Sequence, residues 1–198
     1  PRFACMYCAT KLTQAQLLAD APAPMPAVEG DAAEELAAFS ALVLACVTNF
    51  PDSYKKVTRS EFSKYSDTYL EACRPAFDHL DQCARIEPDR RTEWAELGAE
   101  DLMQQLNDWF AAQKGWNSRA RQARIVDNAK FTIALFLVPM LSRGNWTISC
   151  PFAKRLHTLW MARYPKSPFT LASYDDLVSG FRKRWLCFIT TAVCEAEG

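Results

Sequence analysis

Hydrophobic positions fall at helical spacing through most of the chain. After residue 30, Leu36, Phe39, Val43, Cys46, Val47 and Phe50 recur every three or four residues, as the buried stripe of an amphipathic helix does. Asp31 followed by Glu34 is a start signal, and Pro51 a stop. A second stripe runs Phe62, Tyr65, Tyr69, Cys73, Phe77, Leu80 and Ala84, and Pro75 predicts a kink or break within it. Thr92 is placed to cap a third helix carrying Trp94, Leu97, Leu102, Leu106, Trp109 and Phe110. Asn117 and Ser118 precede a fourth, apolar on all sides over 131–141 and ending at Gly144. A helix apolar all round belongs at the centre of a fold. Pro151, after Ser149 and Cys150, opens a fifth with Phe152, Leu156, Leu159 and Trp160, which Pro165 closes. Ser173 with Asp176 caps a sixth carrying Leu177, Phe181 and Trp185, and the β-branched stretch 186–193 reads as a short strand or extended tail. The pattern predicts an all-α fold, a single bundle of about six helices.

The front of the chain breaks this pattern. Residues 1–19 form a short head holding Cys5 and Cys8; 20–30 is a Pro/Ala linker in which Pro22, Pro24 and Pro26 favour extended geometry; 31–198 is the helical domain. Over the 198 residues, 49% hydrophobic content excludes disordered and collagen-like classes. Six glycines leave little material for a phosphate loop, and two histidines, His79 and His157, leave little for a multi-histidine metal site. The longest apolar run, 131–141, is well short of the ~20 residues a membrane span needs, so no membrane partner is expected.

The formal net charge of zero hides a split. Residues 1–114 carry 11 Lys+Arg against 18 Asp+Glu and residues 115–198 carry 12 against 5, so that −7 and +7 cancel. The simplest expectation is that the halves face and neutralise each other. The alternative is a basic surface for an acidic protein or a nucleic acid, built on Arg119, Arg121 and Arg124 and on Arg182, Lys183 and Arg184. The second cluster sits at a helix C-terminus, where the dipole favours cations; the first opposes its dipole. Neutral overall charge ranks a protein partner, or a second copy of the chain, above nucleic acid.

Eight cysteines without a signal-like apolar core near Pro1, several of them at helical core positions, point to a reducing, cytoplasmic setting. Cys5-x-x-Cys8 resembles half of a zinc-ribbon knuckle, whose two thiolates bind one tetrahedral zinc from the same side. His79 and Cys83, one helical turn apart, are the best completion of such a site within the chain. Cys187 and Cys194 are another, and a zinc shared between two chains a third. A free thiol pair is the plain alternative. Cys187, beside Lys183 and Arg184, is the candidate nucleophile of a thiol-dependent enzyme, with His157 as its base. No nucleophile signature surrounds it, and Glu100, Asp101 and Asp108 isolate no acid–base pair, so a non-catalytic interaction or regulatory module is the leading expectation.

Cys187-Phe188-Ile189-Thr190-Thr191-Ala192, with Cys194 beyond, resembles the Cys-Phe-Ile box near the C-termini of many uncharacterised bacterial proteins, which reads Cys-Phe-Ile-x-Thr-Ala. Cys187, Phe188, Ile189, Thr191 and Ala192 match it. In that group a further cysteine and an Arg-rich amphipathic helix follow; Cys194 supplies the first, and 195–198 are too few for the second. The resemblance implies a bacterial protein and brings no activity with it. An apolar segment with two cysteines is expected to insert into the bundle or cover a partner.

Overall fold

Helical periodicity resolves, in a computed structural model, into an all-α bundle. The structure describes residues 2–4, 11–13, 28–50 and 61–182, with the backbone alone at 2–4, 11–13 and 180–182. The helices are α1 (Ala32–Thr48), α2 (Phe62–Ile86), α3 (Arg91–Ala112), α4 (Arg119–Arg143), α5 (Ser149–Arg163) and α6 (Tyr174–Arg182). Near the front, β1 (Arg2–Ala4) pairs antiparallel with β2 (Lys11–Thr13), Phe3 facing Leu12.

Local chemistry sets several ends. Asp31 caps α1 by accepting from the Ala33 N–H at 2.8 Å, and Glu34 and Glu35 follow in the first turn, where the dipole favours them. Ser173 and Asp176 form a reciprocal capping box: Asp176 N–H donates to Ser173 Oγ at 3.1 Å, and Ser173 N–H donates to the Asp176 carboxylate at 3.0 Å. At the end of α4, Asn145, not Gly144, takes the left-handed conformation, with φ of 57°.

Two expectations fail for physical reasons. Thr92 does not cap α3: a 3-10 turn, Pro88–Arg90, starts the helix earlier, with Arg90 at the N-cap. Pro75 does not break α2, which runs through it. Pro75 and Glu71 are both exposed, so the carbonyl that loses its bond faces water. A proline problem does appear in α4, as a π-turn over Ile133–Leu137 just before Pro139. The wider turn makes room for a ring that would otherwise clash with the preceding carbonyl.

The core is aromatic. Phe39, Phe77 and Phe152, from α1, α2 and α5, meet edge-on at centroid distances of 5.2–6.2 Å, and all are fully buried. Gly98 lets α3 approach this cluster, because a Cβ there would lie 2.7 Å from Leu80 and 3.2 Å from Phe39. α4 is long and apolar enough to cross a membrane, but 61% of its apolar window is buried in the bundle, with Ile133, Phe136, Leu137 and Leu141 in the core. Its composition is that of a central helix, as the sequence predicts.

Chain direction sorts charge. The starts of α1 and α3 meet the end of α2, where Ala32, Cys83 and Trp94 pack together. This end carries Asp31, Glu34, Glu35, Glu87, Asp89 and Glu93. The opposite end gathers the ends of α1, α3 and α5 and the start of α4.

Candidate functional site

The opposite end is built from aromatic anchors. Phe110 stacks on Trp116 at 5.6 Å and meets Tyr164 edge-on at 5.9 Å, while Tyr164 donates to Asn107. Burial raises the Tyr164 hydroxyl above its usual pKa, keeping it a donor. Ser167 donates to Asp127 of α4 at 2.6 Å. These contacts bring exposed Arg163 and Lys166 to the same end as Lys114, Arg119, Arg121 and Arg124, all four exposed. Gly115, with φ of +80°, turns the chain out of α3, and Arg121 lies across it, donating to the Lys114 carbonyl at 3.2 Å. A Cβ at Gly115 would sit 2.7 Å from Arg121.

Charge neutralisation between the halves is selective. Arg143 pairs with Asp67 at 2.7 Å and Arg155 with Glu100, so those two second-half cations meet first-half carboxylates. Lys130, largely buried, pairs with Asp127 at 2.9 Å. Among the described residues, Arg119, Arg121 and Arg124 pair with no carboxylate. Their helix has no acidic residue in its first turn, and Ser118 at the N-cap makes no side-chain cap bond.

Beside them lies a cleft of about 180 Å³ lined by Val47 and Thr48 of α1, Trp109 of α3, Gln113, and Ile125, Asn128 and Ala129 of α4. Pockets for drug-sized ligands run to about 300–1,000 Å³, so this one takes no more than a ring or a side chain. Among the described residues nothing accepts from the indole N–H of Trp109 or of Trp116, whereas Trp94, Trp146 and Trp160 donate to Glu87, Asp78 and the Ser167 carbonyl. A smaller apolar depression, of about 150 Å³, lies between α1 and α2 over Cys46, Phe50 and Pro75.

Of the proposed metal ligands, His79 and Cys83 lie one turn apart on α2 and both are engaged. His79 Nδ1 is 2.6 Å from the Glu35 carboxylate. The Cys83 thiol is fully buried and donates to the Ala32 carbonyl at 3.3 Å, and burial pushes it up to about 11. Coordination by Cys83 would require losing that proton and that bond. Among the described residues no three His, Cys, Asp or Glu converge as a metal site. Cys5, Cys8, Cys187, Cys194, Lys183 and Arg184 lie outside the described residues, and of Arg182 only the helical backbone is described. His157 donates from Nε2 to the Phe169 carbonyl at 3.0 Å and packs its ring on Phe169. Glu100, Asp101 and Asp108 bond Arg155, Gln105 and Gln104.

Sequence reasoning finds the α4 arginines but not Lys114, Arg163 or Lys166 beside them, nor the cleft. Trp109 reads as one more position of a core stripe, and Arg163 as an ordinary last-turn cation. Only the parallel course of α3 and α5 joins them. Compared with protein-family models, with curated proteins and with solved structures, the chain gives no match.

Proposed function

We propose that this chain is a non-catalytic binding protein whose working surface is the basic end of the bundle and whose partner is densely acidic. One observation carries the reading: Arg119, Arg121 and Arg124 are exposed, oppose the α4 dipole and pair with no carboxylate among the described residues. Arg119 and Arg121 lie in the first turn, where a cation costs about 0.3–1 kcal/mol of helix stability, and within the described fold only the Lys114 carbonyl, accepting from Arg121, answers them. A partner anion would offset that cost. Lys114, Arg163 and Lys166 widen the same surface, the electrostatic footprint of a polyanion binder. The neutral overall charge no longer argues against nucleic acid, because the positive charge is gathered at one end.

The test is thermal unfolding of the full chain with and without polyphosphate at low salt. Polyphosphate is expected to raise Tm of the native protein and leave an Arg119→Gln/Arg121→Gln/Arg124→Gln variant nearly unmoved. An unchanged native Tm overturns the reading.

A second proposal concerns the head. Cys5 and Cys8 lie in the sequence between β1 and β2, which pair with each other, and two thiolates at this spacing can hold one zinc from the same side. Elemental analysis is expected to find about one zinc per chain, lost on Cys5→Ser; metal-free protein ends this proposal. Buried free thiols at Cys46, Cys73 and Cys83 support a reducing, cytoplasmic setting for both.

A further inference from the structure

Resting on that reading and deepening it, we infer that the acidic partner is single-stranded nucleic acid, held by the cleft between α1, α3 and α4 together with the arginines beside it. An acidic protein or bare polyanion would need only the arginines. The cleft adds a slot of about 180 Å³ with mixed apolar and polar walls and one aromatic side, Trp109, enough for one planar ring. The Trp109 indole forms one wall, and base–aromatic stacking is worth about 1–3 kcal/mol per base. Gln113 also lines the cleft; its amide donates to the Trp109 carbonyl at 3.1 Å and keeps its oxygen for a base edge. Arg121 stands one turn before Ile125, and Arg124 one turn before Asn128, on the same faces of α4. A base seated in the cleft would therefore hold its phosphates beside guanidinium groups, which bind phosphate in bidentate fashion. A duplex keeps its bases stacked inside and cannot fill the slot; a single strand can turn one out.

The test titrates the full chain at low salt with fluorescein-labelled oligo-dT, the same oligonucleotide as a duplex, and polyphosphate of matched charge. Oligo-dT is expected to bind about tenfold or more tightly than either competitor and to quench tryptophan emission. Trp109→Leu should remove at least about fivefold of that advantage while leaving polyphosphate binding unchanged. Trp109→Phe, which keeps a ring and guards against a folding defect, should restore most of it. Arg121→Gln/Arg124→Gln should weaken both ligands and lower the salt slope by about 1. Equal affinity for oligo-dT and polyphosphate, with no effect of Trp109→Leu, overturns this inference and leaves the basic working surface standing. Preference for the duplex also overturns it. Binding to none of the three overturns both.

Discussion

The two ends of the bundle handle charge in opposite ways. At the acidic end, negative residues sit where local physics wants them: Asp31 caps α1, Glu34 and Glu35 follow in its first turn, and Glu93 does so in α3. Two of the cations there are held by neighbours, Arg90 by Glu87 and Glu93 and Arg85 by Asp81, while exposed Arg91, the first residue of α3, pairs with no carboxylate among the described residues. The tryptophan is held as well, Trp94 donating to Glu87 under the Arg90 guanidinium. At the basic end, α4 begins with arginines against its dipole, and Trp109 faces a cleft. Most charges of the acidic end have partners among the described residues, whereas the three arginines of the basic end have none there.

The comparison assumes one cooperative body, and the aromatic cluster is where that breaks most sharply. Phe152→Ala should cost about 3–5 kcal/mol and still give a single urea transition, with tryptophan emission and circular dichroism coincident. Two separate transitions would make the ends independent units. Smaller is Asp31→Ala, expected to destabilise by about 1 kcal/mol through loss of the α1 cap, with salt having little effect. The opposite sign is expected at the other end. Arg119→Gln/Arg121→Gln/Arg124→Gln should stabilise the unliganded protein, by about 1 kcal/mol in sum, and the gain should shrink as salt rises. A loss of stability there would mean that the arginines have a structural partner.

The gentlest effect is on the alkaline side of the acidic end. Burial raises Cys83 from its ordinary 9.0 to about 11, so above pH 9 the unfolded chain releases a proton that the folded chain retains. Stability is then fully present below pH 9 and falls as pH rises through about 11. Tyr69, also raised by burial, acts in the same direction. Cys83→Ala should flatten the decline of Tm between pH 9 and 11; an identical decline would remove Cys83 as a contributor.

Where sequence signals were local, they were legible. The capping box of Ser173 and Asp176 is a two-residue pattern with two hydrogen bonds, and it forms as spaced. The stripes of α1 and α2 bury the residues that carry them, from Phe39 to Val47 and from Phe62 to Ala84. Pro75 misleads because its effect depends on which way the lost carbonyl faces, and Thr92 because a tight turn upstream had already begun the helix. In the candidate site, the α4 arginines stand out because they oppose a dipole that sequence alone predicts. Trp109 does not, since periodicity says that a position faces inward but not whether a neighbour arrives to fill the space.

The sequence by itself determined the six helices of the described residues, a central fourth one and a charge split between the two halves. Those follow from spacing, caps and counting, each decided within a few residues or by simple sums. Tertiary structure alone decided which charges find partners. Arg143 and Arg155 are neutralised from helices far away in sequence, while Arg119, Arg121 and Arg124 find no carboxylate among the described residues. Coulomb energy depends on separation in space and on solvent, and neither can be read from position along the chain.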